Sequence, residues 1–174
     1  MVETLLDTLG IEIAEITPDR VELTMPVTQK VRQVWGFLHG GATLALLESA
    51  ASYGAAARAD AAVERPFGIN VNVSHRKSIT HGMVRGVAVI DREEPASKGG
   101  VKQFWRVVAY DEAGDAVSEG TVLTLVVPLS RLEQLDRDVP EIDASTRRGL
   151  EDRGTKKPAG NADGLDSDGR DDRI

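Results

Sequence analysis

Between Gly40 and Ala57, eighteen consecutive residues carry a single ionisable side chain, Glu48. The others are Ala, Leu, Gly, Ser, Thr and Tyr, with Leu44, Leu47, Ala51 and Ala55 at helical spacing. The remaining faces are also small or apolar, so the spacing predicts a helix enclosed by other structure rather than one lying on a surface. A carboxylate midway along such a helix loses hydration. It therefore needs compensating hydrogen bonds, a shifted pKa or water at a cleft. Ser52, at i+4, shares its face. Upstream, Gly40 and Gly41 let a ligand approach the backbone where the first helical amides lack intrahelical partners. A carboxylate facing a bound molecule and free amides aimed at a developing oxyanion are the working parts of acyl transfer.

The rest of the chain reads as strands around that helix. Val2 to Leu9 is a short amphipathic helix ended by Gly10. Ile11, Ile13 and Ile16 open a strand, Pro18-Asp19 turns, and Val21, Leu23 and Met25 return as its partner. Thr28 to Leu38 is a loop holding Gln33 and Trp35, and Ala59 to Arg65 is a connector stopped by Pro66. Ile69, Val71 and Val73 alternate with Asn70, Asn72 and Ser74 in a half-buried strand ending near Ile79. Met83 to Asp91 is the next strand, Arg92 to Gly100 a charged hairpin loop, and Val101 to Tyr110 a further strand. Asp111 to Gly114 turns, and Asp115 to Val127 returns, stopped by Pro128. One helix with about five antiparallel strands is an α+β arrangement over residues 1–128. Residues 129–140 hold a short helix, Leu129 to Leu135, or a connector. Residues 141–174, rich in Asp, Arg, Gly, Lys and Ser, form a charged tail expected to be disordered.

Composition closes several other routes. A length of 174 residues suits one domain with one core, and 4% aromatic residues means a core of Val, Ile, Leu and Ala. Without Cys there is no thiol nucleophile and no disulfide, and three His in no metal-ligand spacing give no support for a metal. A net charge of −7 argues against nucleic acid as a partner. There is no signal-peptide pattern. The longest apolar stretch is broken by Glu48, Ser49 and Ser52, so no membrane partner is expected and a cytoplasmic location is the default.

Several short strings carry a resemblance beyond these readings. Gln33, the run G-F-L-H-G-G (36–41), Glu48 and Ser52 resemble the hotdog-fold acyl-CoA thioesterases. The subgroup is that of the 1,4-dihydroxy-2-naphthoyl-CoA and 4-hydroxybenzoyl-CoA hydrolases, with the phenylacetate-pathway thioesterases nearby. F-G-I-N-V-N-V-S-H-R-K-S (67–78) followed by G-M-V-R-G (82–86) is similar to the next segment of that subgroup, and the resemblance spans residues 5–128. It implies a hotdog fold and a thioester hydrolase acting on an aromatic or medium-sized acyl-CoA. CoA would be part of the substrate, with no further cofactor.

By that resemblance Glu48 is the general base for water or a nucleophile, and the Gly40 amide polarises the carbonyl. Gln33 is a second carbonyl donor, Ser52 positions the reactants, and His39 fixes the loop or serves the leaving thiolate. Gly41 joins the binding residues. His75, Arg76, Lys77 and Ser78 lie where the family holds the CoA phosphates and pantetheine. The subgroup usually reads N-H-L-R-S there and this chain reads S-H-R-K-S, so Lys77 stands for an arginine and Arg76 for an apolar residue. Trp35 and Tyr53 are candidates for the acyl pocket, with a core role as the alternative. The resemblance also implies a homo-oligomer, a dimer or dimer of dimers. In it Gln33, His39 and Gly40 of one subunit face Glu48 and Ser52 of the other. Two other classes stay open: a non-catalytic acyl-CoA-binding module, and a hotdog hydratase, which needs an Asp/His pair that the motif lacks.

Overall fold

The computed structural model describes residues 3–132. A helix α1 (Leu5–Leu9) opens it, held by a reciprocal Thr4–Asp7 capping box and closed by Gly10 at φ 69°. Two strands follow, β1 (Glu12–Ile16) and β2 (Arg20–Pro26), then a single 3-10 turn (Gln29–Val31) and the long helix α2 (Gly40–Arg58). Four long strands complete the domain: β3 (Glu64–His75), β4 (Met83–Pro95), β5 (Val101–Tyr110) and β6 (Ala116–Pro128). The described chain ends in α3 (Leu129–Leu132). The tail expected over 141–174, and the rest of the 129–140 segment, lie outside the described residues.

All six strands form one antiparallel sheet in the order β1-β2-β4-β5-β6-β3, where about five were expected. The β1–β2 hairpin adds two strands to the same sheet. The sheet wraps α2, and the period of two decides what meets the helix. Val21, Leu23 and Met25 of β2, Val84 and Ala88 of β4, and Trp105, Val107 and Ala109 of β5 are buried against it. Small helix residues allow this close approach: a methyl group at Gly54 would collide with the indole of Trp105. The sheet bends around the helix at register shifts that leave an extra residue in β1, β3, β4 and β6.

Two boundaries differ from expectation. Pro66 does not stop the connector; it lies inside β3, opposite Val126. That is allowed because β3 is an edge strand, where a missing N–H removes no ladder bond. β3 then ends at His75 rather than near Ile79. The hairpin loop expected over Arg92 to Gly100 shrinks to 96–100, because β4 continues past a bulge between Ile90 and Arg92 as far as Pro95. No helix among the described residues is long and apolar enough to cross a membrane.

The extended part of β4 anchors the far end of α2. Trp105 Nε1 donates to Thr124 Oγ1 (3.0 Å), which donates to Gln103 Oε1 (3.1 Å). Gln103 Nε2 donates to Glu93 Oε1 (2.9 Å), as does Arg58 Nε (2.8 Å), and Arg58 Nη1 donates to Asp19 (2.6 Å). The amide of Gln103 is buried at 2% exposure without penalty because both of its ends are satisfied. The Arg58 hydrogen bond is the main cause holding the Glu93 carboxyl below its ordinary 4.5, against an opposing desolvation. A lowered folded value means this stabilisation is complete above pH 4.5 and is lost as pH falls through the folded value. Arg58→Ala should therefore be less stable than the parent at pH 7, with the gap narrowing towards pH 3 in denaturant titrations. A gap independent of pH would remove the ion pair as its source.

Candidate active site

The N-terminus of α2 is built by its own flanking residues. His39 is the N-cap, and its Nδ1 accepts from the Gly41 amide at 2.9 Å. The His39 carbonyl accepts from Ala42 and Thr43, while its own amide is tied to Val31 O. The Gly40 amide is left with no acceptor among the described residues, pointing out of the positive end of a 19-residue helix. A Cβ at position 40 would lie 2.6 Å from His75 Nε2, so the imidazole of β3 occupies the space that a side chain would need.

The preceding loop is a closed turn. Gln33 N donates to Phe37 O and Gly36 N to Gln33 O, with Arg32 bridging Leu38 and Gly36 at φ 86°. Val34 and Trp35 stand at its tip, 92% and 77% exposed. Trp35 is therefore not a core residue among those described. Tyr53 packs against the core cluster, consistent with the core alternative.

Two turns beyond Gly40, Glu48 is half-buried, and its Oε1 accepts from Ser52 Oγ at 2.8 Å. The carboxylate lies against Gly68 of β3, where a methyl group would collide with Oε1. Gly68 sits at the β3 bulge, whose register shift falls between Gly68 and Asn70. Gly68 escaped the sequence reading, although a glycine inside a β-branched run signals a bulge or a close approach. Ser118, which holds His75, carried no such signal, because only the β3–β6 register pairs the two.

The site residues thus fall into two groups. His39, Gly40, Gly41 and His75 form one; Glu48, Ser52 and Gly68 form the other. Eight residues of helix separate Gly40 from Glu48, a rise of about 12 Å.

The strand-end cations are already engaged. Lys77 Nζ contacts Asp111 and Asp115, each at 2.6 Å, and Arg76 pairs with Glu119 at 2.7 Å. The Asp111 hydrogen bond is the main cause raising the Lys77 pKa, and the same bond lowers that of Asp111. Ser78 lines an open cavity of about 340 Å³ with Lys77, His81, Asp111 and Glu112, apart from both groups above. Among the described residues no three His, Cys, Asp or Glu side chains gather to hold a metal ion.

Residues 3–127 match the family described as a domain of unknown function, DUF4442. The proofreading thioesterase EntH of Cronobacter turicensis is 36% identical over 127 residues, 72% of this chain and 88% of that protein. The 1,4-dihydroxy-2-naphthoyl-CoA hydrolase of Escherichia coli is 32% identical over 119 residues, covering 68% and 83%. Among solved structures, the thioesterase SAV0944 of Staphylococcus aureus superposes with a TM-score of 0.66 at 29% identity, over 71% of this chain and 98% of that one. The chain belongs to the hotdog-fold acyl-CoA thioesterases. It is a thioester hydrolase, as the resemblance in Gln33, the HGG run, Glu48 and Ser52 implied. SAV0944 has been solved with alanine in place of a glutamate and, separately, of a glutamine fifteen positions earlier, the separation between Glu48 and Gln33 here.

Gly68 gives a direct test of the Glu48 placement in this thioesterase. In Gly68→Ala the obstructing group is the tip of a flexible side chain, so the fold tolerates it while the carboxylate moves by about 1 Å. A displacement of that size should cost up to about 100-fold in turnover with an almost unchanged melting temperature. Full activity in Gly68→Ala would remove Glu48 from the reacting centre.

Proposed function

We propose that this protein hydrolyses acyl-CoA thioesters of aromatic or medium-sized acids as a symmetric homodimer, each site combining the two residue groups from different chains. The observation that carries this is the helical rise between Gly40 and Glu48. A group attacking a thioester carbonyl must come within about 3–3.5 Å of it. One helix cannot bring Glu48 to a carbonyl held at its own Gly40 amide; a second copy can.

The edge strand β3 supplies a means of pairing. It is twelve residues long and bears exposed Phe67, Ile69 and Val71, whereas the opposite edge, β1, is five residues long with exposed Glu12 and Glu15. Long apolar edges are ordinarily covered. Gly68, Val71, Val73 and His75 share the helix-facing side of β3, opposite Thr124, Val122, Gly120 and Ser118. Antiparallel self-pairing centred on Asn72 keeps these faces matched and sets His75 of one copy opposite the bulge residue Ile69 of the other, next to Gly68. Each Gly40 amide then meets the Glu48 of a second copy.

In this reading the thioester oxygen takes the Gly40 hydrogen bond, with Gln33 as a further donor. Ser52 occupies Glu48 Oε1, leaving the other oxygen to take a proton from water as it attacks the carbonyl carbon. The tetrahedral intermediate collapses with its electron pair moving to sulfur, releasing the acid, and the proton held by Glu48 passes to the departing CoA thiolate, which restores the carboxylate. Glu48, Ser52 and the amide account for each step, and the reading calls for no cofactor. The relatives that act on aromatic acyl-CoA support the acyl class, and the cytoplasm, where acyl-CoA is made, is the proposed location. A hydratase is disfavoured by a specific observation: His39 caps α2, His75 bonds Ser118 and His81 bonds Thr80, so no Asp–His pair forms among the described residues.

Free-thiol release from benzoyl-CoA and straight-chain acyl-CoA thioesters tests the chemistry. Glu48→Ala should lose about 100-fold or more in turnover, as expected on removing a general base. Tight binding without turnover in the parent protein would instead favour a binding module. The dimer is open to a cross-link, because the chain has no Cys. Asn72→Cys, self-opposed across the axis, should oxidise to a disulfide-linked dimer that keeps its activity; failure to cross-link would discard this pairing.

A further inference from the structure

We propose that His75 is a catalytic residue, its Nε2–H donating to the thioester oxygen alongside the Gly40 amide, and not a contact for the CoA nucleotide. This rests on the hydrolase reading above.

His75 is exposed, as Arg76 and Lys77 are, but its ring meets no carboxylate among the described residues. Arg76 and Lys77 reach carboxylates at positions 119, 111 and 115, whereas His75 lies on the helix-facing side of β3. Its Nδ1 is 2.8 Å from Ser118 Oγ, on a residue with no exposed surface. The Ser118 hydroxyl makes no other hydrogen bond among those described and is able to donate to Nδ1, which puts the ring proton on Nε2, the tautomer that the proposed role requires. That nitrogen is the atom 2.6 Å from the Cβ position of Gly40. Two donors, the free amide of Gly40 and the imidazole N–H, thus flank one α-carbon at the positive end of α2. Paired donors held by the fold before the substrate arrives are the arrangement that stabilises a tetrahedral oxyanion. The proposal also accounts for glycine at position 40, since any side chain there would expel the ring.

Three substitutions separate the roles of the two nitrogens. The amide of asparagine reaches the place of Nδ1 and can keep Ser118; that of glutamine reaches the place of Nε2 and can keep the donor. Turnover is measured with an acyl-CoA and with the same acyl group on N-acetylcysteamine, which lacks the nucleotide. We expect His75→Ala and His75→Asn to lose about 100-fold in kcat on both substrates, the cost of removing one oxyanion donor. KM should change less than about 3-fold, and His75→Gln should recover to within about 10-fold of the parent. A raised KM confined to the CoA substrate, with kcat intact, would overturn the proposal in favour of a nucleotide contact. Rescue by asparagine and not by glutamine would overturn it in favour of a strut between β3 and β6. If the chain unfolds with truncation at 75, Ser118→Ala keeps the ring and frees its tautomer: a kcat fall of about 10-fold supports the donor, and an unchanged kcat overturns it. No turnover by the parent, or an undiminished Glu48→Ala, would defeat the hydrolase reading and this inference with it. A normal Glu48 phenotype with an unaffected His75→Ala would defeat this inference alone.

Discussion

A straight α-helix holds Gly40 and Glu48 about 12 Å apart, and no side-chain rotation closes that gap. Every other feature of the site follows from this rigidity. The helix cannot bend to bring its two functional positions together, because the sheet grips it from Gly40 to Arg58. The His75 ring lies against its first turn, Leu46 against Gly86, the Trp105 indole against Gly54, and Arg58 is tied to Glu93 and Asp19. A scaffold this tightly packed can hold half of a reaction centre at each of two points. In the proposed dimer, a second chain completes each one.

The edge strand β3 links these levels. Its glycine at position 68 leaves room for the Glu48 carboxylate, its bulge changes which side chains face the helix, and its last residue lies against Gly40. The same strand carries the exposed apolar edge. Packing around α2, the placing of the candidate site residues and the proposed pairing of subunits thus draw on one twelve-residue segment. The buried polar chain from Trp105 through Thr124 and Gln103 to Glu93 and Arg58 plays a different part, fixing the far end of the helix away from the reacting groups.

Much of this was legible residue by residue. Helix α2 stood out because Ala and Leu carry strong helix propensity and a single ionisable group interrupts them. The strands β2, β5 and β6 followed from alternation and from turns at Pro18-Asp19 and Asp111 to Gly114. Errors came where long-range pairing overrode local signals. Pro66 reads as a terminator, but at a sheet edge it removes no hydrogen bond. Arg92, Glu93 and Glu94 read as a loop because they are charged, yet across the bulge they pair with β5 and supply the partner of Arg58. The acidic partners of Lys77 and Arg76 also escaped local pattern, because they lie more than thirty positions away in sequence.

The sequence alone determined the helix, its lone carboxylate with Ser52 one turn on, the glycines at its start and the family to which these belong. Those properties depend on neighbours three or four residues apart, and a helical period converts such spacing directly into shared faces. Only the tertiary structure decided that His75 meets Ser118 and Gly40, that Gly68 makes room for Glu48, and that the strand-end cations pair with carboxylates. Each of these depends on which residues a sheet register sets opposite one another. A shift of one residue in that register would send the same side chains to the other face.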